Sequence, residues 1–196
     1  MNYELMKKLI DSNNGYLFVK DAEAASVSRT YIADFVKKNN MEKVAKGIYI
    51  SEDTWADDLF ILQKRYPAII FSGETALYLH GMTDREYSAI FVTVPCGFSG
   101  SRLRGEGVVI HSVKQDYYEI GATEVTTNFG NVVRCYDKER SICDLIKTRG
   151  RTEVQHFQTA VRGYMKSKDK NLSRLMTYAQ MLGMRDEVMK YVEVLV

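Results

Sequence analysis

The chain has few cysteines and no long apolar run, which excludes several classes of protein. Cys96, Cys135 and Cys143 are odd in number and form no CxxC pair, and the three histidines lie far apart. A disulfide framework and a zinc ribbon are therefore disfavoured, and reduced cysteines are typical of a cytoplasmic protein. No segment approaches the ~18 apolar residues of a membrane span. The first twelve residues predict an amphipathic helix and not a signal peptide.

The chain also has almost no excess of one charge sign, because its net charge is only +2. So small an excess does not identify a partner, but its distribution along the chain is uneven. Residues 28–47 carry five cations against two acids, and residues 151–196 carry eight cations against five acids. The middle, 51–150, is slightly acidic. Both ends are therefore candidates for contact with a polyanion.

The usual catalytic constellations are missing from the sequence. Residues 71–74 (FSGE) lack the glycine that precedes the serine of a nucleophile turn, and the glycine-rich segment 97–107 lacks the order of a P-loop. The acids of 137–140 (DKER) have no upstream acid at a spacing that suits a metal-dependent nuclease. His80 precedes a glycine and is expected to be a helix cap or a core residue. We expect no enzyme activity, no catalytic residue, no metal and no cofactor.

The most informative stretch is 15–50, GYLFVKDAEAASVSRTYIADFVKKNNMEKVAKGIYI. It predicts a short helix at 20–25, a tight turn, a second helix at 29–38 capped by Ser28, and a basic hairpin at 41–50. Two helices joined by a short turn and followed by such a hairpin are typical of a winged helix-turn-helix.

This pattern also predicts which residues contact DNA. A recognition helix exposes hydroxyls and cations at its N-terminal end, and a wing needs a tight turn with a cation. An ordinary helical subdomain with solvated lysines is the alternative interpretation. The candidate DNA-binding residues are Ser28, Arg29, Thr30, Tyr31, Lys37, Lys38, Lys43, Lys46 and Gly47.

The remainder of the chain predicts a second domain. We expect an α+β protein, with the winged helix-turn-helix at 1–51 and an α/β domain at 54–196. The second domain has a small mixed sheet of about four strands and a helical C-terminal tail. A helix at 55–65 is expected to turn Trp55 inward, and 96–107 is expected to be an exposed mobile loop.

Several segments resemble one family, the AbiEi antitoxins, in family order along the chain. The helix start YDKERSICDLIKTR at 136–149 looks like the signature of that family. The other similar segments are FSGETALYLHGMTDR at 71–85, FVTVP at 91–95, EVTTNFGNVVRCYD at 124–137 and NNMEKVAKGIYI at 39–50.

The resemblance implies a function. Such proteins are antitoxins of bacterial abortive-infection systems that limit phage spread, and they counteract a nucleotidyltransferase-like toxin without a stable complex. They also repress their own operon by binding inverted repeats in double-stranded DNA through the winged helix. The C-terminal domain is associated with antitoxicity. The alternative is an enzyme acting on nucleotides or RNA, with the winged helix as a docking module.

The signature residues also have a purely physical interpretation. Asp137 is placed to cap a helix, and Glu139 lies in its first turn, where the helix dipole favours an anion. Arg140 and Asp144 are four residues apart and can pair. Cys143 is a small residue suited to burial.

The tail helices carry a second candidate nucleic-acid surface. A solvated helix face is the ordinary explanation for such cations. The alternative is contact with bent DNA, RNA or a phosphorylated target. The residues are Arg162, Lys166, Lys168, Lys170 and Arg174.

Overall fold

The computed structural model describes residues 2–195, which form an α+β protein of two compact units. One unit contains residues 2–65 together with 126–131, and the other contains 66–125 and 132–195. The chain therefore passes from one unit to the other at 65–66, 125–126 and 131–132. The domain boundary predicted at 51–54 lies inside the first unit.

The first unit combines four helices with a three-stranded antiparallel sheet. Its elements are α1 (Asn2–Ser12), β1 (Tyr16–Phe18), α2 (Val19–Ala24), α3 (Arg29–Lys38), β2 (Glu42–Ala45), β3 (Ile48–Ile50) and α4 (Asp58–Arg65). The strand order in the sheet is β1-β3-β2. Met6, Leu17, Ile32 and Phe35 belong to one buried cluster, so α1, α3 and the sheet enclose a common core. The helices predicted at 20–25 and 29–38 are present within one residue.

Helix α4 belongs to the first unit through aromatic contacts. The ring of Phe60 lies edge-on to those of Tyr16, at 5.1 Å, and Phe18, at 5.9 Å. The prediction of a helix from 55 with Trp55 inward was wrong: the helix starts at 58, and Trp55 is 81% exposed. The reason is Asp57, whose Oδ1 accepts a hydrogen bond from the Phe60 N–H at 3.1 Å and so caps the helix.

The same aspartate explains why residues 126–131 fall in the first unit. Asp57 is only 1% exposed, and its Oδ2 accepts hydrogen bonds from Thr127 Oγ1 at 2.5 Å and Asn131 Nδ2 at 2.9 Å. Its own N–H donates to Tyr16 Oη at 2.8 Å. A buried carboxylate is costly without partners, so these bonds fix the segment beside α4.

The second unit is built on a five-stranded mixed sheet, where the sequence predicts about four strands. The strands are β4 (Ile70–Phe71), β5 (Phe91–Pro95), β6 (Val109–Val113), β7 (Ala122–Thr126) and β8 (Val132–Tyr136). Their order in the sheet is β6-β5-β4-β8-β7. β4 pairs antiparallel with β5, whereas β4–β8 and β5–β6 are parallel.

Seven helices accompany this sheet among the described residues. They are α5 (Gly73–Leu79), α6 (Ser101–Gly105), α7 (Gln115–Tyr118), α8 (Lys138–Lys147), α9 (Val154–Lys166), α10 (Leu172–Met181) and α11 (Arg185–Leu195). Helix α8 and the tail helices α9, α10 and α11 share one buried cluster that includes Ile142, Phe157 and Leu175, so the tail is part of the core of this unit.

The prediction of an exposed loop at 96–107 was wrong in part. Helix α6 lies within that segment, because Leu103 is buried to 1% exposure and anchors one helical turn. The glycines, serine and arginines around Leu103 have the composition of a loop, which concealed the single apolar anchor. Within residues 2–195, no helix has the length and apolar character needed to cross a membrane.

Candidate nucleic-acid interface

The first turn of α3 presents a hydroxyl-rich, cationic surface. Ser28 is extended and caps the helix, because its Oγ accepts a hydrogen bond from the Tyr31 N–H at 3.3 Å. This confirms the predicted cap. Ser28, Arg29 and Thr30 are exposed, and Val27 is buried beneath them. The capping geometry therefore turns these three side chains outward at the positive end of the helix dipole.

Arg29 is not a free cation. Its Nε donates a hydrogen bond to the carboxylate of Glu23 in α2, and this contact lowers the pKa of Glu23 and raises the pKa of Arg29. The Arg29 side chain is 85% exposed, so the pair lies in water and is weak. Arg29 would have to exchange Glu23 for a phosphate or a base edge.

The other candidates on α3 differ in exposure. Tyr31 is half-buried against the core of the first unit, so its ring is partly committed to packing. Lys37 and Lys38 are exposed in the last turn, where cations complement the helix dipole. At the N-terminal end of α3, the side chains of Ser28, Arg29 and Thr30 are therefore more accessible to a ligand than that of Tyr31.

The β2–β3 hairpin carries the remaining candidates. Lys43 and Lys46 are exposed, and the register shifts between Lys43 and Ala45. Gly47 has φ +74°, a conformation that side-chain-bearing residues rarely adopt, and its carbonyl accepts a hydrogen bond from the Val19 N–H at 2.9 Å. Tyr49 of β3 packs on the same core as α3, so one unit holds all nine candidates.

The tail cations do not form a uniform set. Arg162, Lys166 and Lys168 are exposed. Lys170 is half-buried and donates to the Ser167 carbonyl at 3.4 Å. Arg174 lies 3.9 Å from Asp137 and 4.0 Å from Glu139, so its charge is opposed by two carboxylates.

The signature residues hold the structure around the start of α8. Asp137 Oδ1 accepts from the Arg140 N–H at 2.8 Å, which confirms the predicted cap. The fully buried Arg140 donates to both oxygens of Asp144 at 3.1 Å and to the carbonyls of Tyr117 and Ile120 at 2.8 and 2.7 Å. Burial raises the pKa of Asp144, and Arg140 opposes that shift.

A second group of contacts joins the signature to the tail helices. Buried Glu139 accepts from Tyr164 Oη at 2.9 Å and from the Asn171 N–H at 3.2 Å. Tyr178 Oη donates to Asp137 Oδ2 at 3.1 Å. These bonds give Asp137 and Glu139 hydrogen-bond partners, so the predicted structural role accounts for both residues. The tail partners could not be identified from the sequence because they lie 25 or more residues away.

Cys143 is buried in this unit, and the half-buried His80 lies beside the backbone of Tyr136. Burial raises the pKa of Cys143 to about 12, so it is protonated at neutral pH. His80 caps α5, and its Nε2 donates to the Tyr136 carbonyl at 2.7 Å. Burial lowers the pKa of His80. Both environments agree with the expected structural roles. No cluster of three or more His, Cys, Asp or Glu suited to a metal occurs within residues 2–195.

No protein-family model matches the chain, and no curated protein matches it in sequence. Among solved structures, the crystal structure of RV2827C protein from Mycobacterium tuberculosis is similar over 96% of this chain and 79% of that chain. The TM-score is 0.47 and the sequence identity is 9%. A likeness at that level assigns neither a fold family nor a function.

Proposed function

We propose that this protein is a DNA-binding antitoxin of a bacterial abortive-infection toxin–antitoxin system. The first unit is a winged helix-turn-helix in which α3 is the recognition helix and the β2–β3 hairpin is the wing. It represses its own operon by binding inverted repeats in double-stranded DNA. The second unit counteracts a nucleotidyltransferase-like toxin without a stable complex.

One observation carries the DNA-binding part of the proposal. Ser28, Arg29 and Thr30 are exposed at the N-terminal end of α3, and Lys43 and Lys46 are exposed on a hairpin that shares the core of that helix. Hydroxyls and cations at a helix N-terminus suit base edges and phosphates in a major groove. Lysines beside a tight turn suit the neighbouring phosphates.

The antitoxin part rests on the resemblance of the sequence. The segment 136–149 resembles the AbiEi signature, and its polar residues fold and cap α8 rather than forming a reactive centre. Antitoxicity is accordingly assigned to the second unit as a whole and not to the signature side chains.

Electrophoretic mobility shift on the chain's own upstream DNA tests the first part. We expect tight binding to a fragment that contains the inverted repeats and much weaker binding when one repeat is scrambled at constant composition. Equal affinity for both fragments would contradict sequence-specific repression.

Co-expression with the toxin encoded beside it tests the second part. We expect the wild-type chain to restore growth. A contrary outcome is growth arrest that persists although the cells contain enough of this protein to occupy the operator fully. That result would refute the antitoxin assignment and leave the repressor assignment intact.

A further inference from the structure

A cleft of about 750 Å³ opens on the second unit, beside the last turn of α8. It is bounded by the start of α5, by strands β5 and β6, and by the last turn of α8 with the residues that follow it. Ligand pockets in proteins commonly measure ~300–1,000 Å³, so the cleft has the size of a small-molecule site.

Two cations, Lys147 and Arg151, and two acids, Glu74 and Asp144, line the cleft. Lys147 and Arg151 are exposed, and the described residues provide neither with an ion pair. Asp144 also lines the cleft, but Arg140 binds both of its oxygens. Glu74 accepts from the backbone N–H and the hydroxyl of Ser88, at 3.4 and 3.3 Å. These Ser88 groups are neutral, so Glu74 keeps its charge. Because Arg140 compensates Asp144, the two cations Lys147 and Arg151 exceed the one remaining carboxylate by one charge, and the cleft favours an anionic group near them.

A pair of flat rings lines the cleft as well. Phe91 of β5 and His111 of β6 stack with ring centroids 6.3 Å apart and planes 14° apart. His111 is exposed at its edge strand. A stacked pair of this kind provides a surface on which a nucleobase can lie, since base stacking on side-chain rings tolerates every base.

From these features we propose that the cleft binds a nucleoside phosphate. The base stacks on His111, the phosphates bind Lys147 and Arg151, and the Glu74 carboxylate accepts a hydrogen bond from a sugar hydroxyl or a base amine. A base joined to a sugar and phosphate occurs both in a free nucleotide and at the end of a single-stranded nucleic acid, so either could be the ligand. The site lies in the second unit and is separate from the operator-binding surface proposed above.

Isothermal titration calorimetry on the full chain tests this proposal with four probes: ATP, GTP, a short single-stranded oligoribonucleotide and inorganic phosphate. The variants are Lys147→Ala with Arg151→Ala, and His111→Ala alone. Arg185→Ala with Lys190→Ala is the matched control, because it removes two exposed cations from α11 outside the cleft. Circular dichroism melting confirms that each variant is folded.

We expect the cleft double variant to bind nucleotide at least about tenfold more weakly and His111→Ala about tenfold more weakly, with the control unchanged. Binding of the oligoribonucleotide alone, with the same losses, supports the proposal with a strand end as the source. Three outcomes overturn it: no binding of any nucleotide probe, equal affinity for inorganic phosphate, or an equal loss in the control. His111→Ala gives an independent measurement if the double variant misfolds.

Discussion

At the scale of single residues, Arg29 is the most consequential side chain of the proposed interface. Its exposed pair with Glu23 costs little to break. A guanidinium that forks onto a guanine contributes ~1–3 kcal/mol, so Arg29→Ala should weaken operator binding by about that amount. Fluorescence anisotropy with labelled operator measures the change.

A matched control for Arg29 exists in the second unit. Arg85 forms a comparably exposed pair with Glu153, at 2.6 Å. Arg85→Ala removes the same charge and should leave operator affinity unchanged. Equal losses in the two variants would show that Arg29 acts only through net charge.

His80 makes the stability of the second unit dependent on pH. Burial holds the pKa of its imidazole below the ordinary value of 6.5. The unfolded chain therefore takes up a proton before the folded chain does as the pH falls. The free energy of unfolding should decrease as the pH falls through 6.5 towards the lower folded pKa.

Urea unfolding at about pH 7.5 and pH 5.5 checks this expectation. His80→Gln keeps an N–H donor for the Tyr136 carbonyl but does not titrate, so the loss on acidification should be smaller in that variant. An identical loss in both proteins would assign the pH dependence to other groups.

Residue roles were predictable from the sequence where the partner is local. Ser28, Asp137 and the Arg140–Asp144 pair follow from spacings of three and four residues, which a helix fixes by itself. The partners of Asp57 lie 70 and 74 residues away, at positions that only the tertiary fold determines.

At the scale of elements, the β2–β3 hairpin should act through charge rather than sequence. Replacing Lys43 and Lys46 by alanine should lower affinity for every DNA alike. Each lost phosphate contact removes about 0.9 from the slope of log affinity against log salt, so the slope should flatten by about two units. Salt titrations with operator and random DNA measure it, and a loss confined to operator would show that the hairpin reads sequence.

The segment 126–131 should stabilise the first unit through Asp57. Asp57→Ala would leave the buried Thr127 and Asn131 side chains without their acceptor. Such losses typically cost ~2–4 kcal/mol of unfolding free energy. Urea unfolding followed by circular dichroism measures the cost. Asp53→Ala, at an exposed position four residues earlier, is the control and should change the free energy by under about 0.5 kcal/mol.

Element boundaries were predictable where apolar periodicity and a cap agree, as in α3 and α8. They were not predictable where tertiary contacts decide. Helix α4 begins at 58 because Asp57 is buried as its cap, and α6 forms because Leu103 is buried. The burial of Asp57 and of Leu103 could not be read from the sequence, because a segment of a few residues is too short to show apolar periodicity.

At the scale of the whole molecule, the division of the chain changes the design of an antitoxin fragment. A fragment starting near Thr54, as the predicted boundary suggests, retains Phe60 but loses Tyr16 and Phe18, which pack on its ring. We expect that fragment to aggregate because α4 exposes its buried face. A fragment of residues 66–196 omits α4 and should stay monomeric and unfold cooperatively.

Size-exclusion chromatography and urea unfolding compare the two fragments. If the two proposed activities are separable, the 66–196 fragment should lose operator binding and still restore growth beside the toxin. A soluble, folded fragment with continued growth arrest would show that antitoxicity requires the first unit.

The tie between Asp57 and residues 127 and 131 has a consequence for biosynthesis. When residue 65 leaves the ribosome, the first unit still lacks the segment 126–131, which emerges 66 residues later. At ~5–20 residues per second this is a delay on the order of several seconds. During that interval the carboxylate of Asp57 lacks its hydrogen bonds from Thr127 and Asn131. A chain truncated before residue 131 therefore has a first unit in which the buried Asp57 lacks its Asn131 partner.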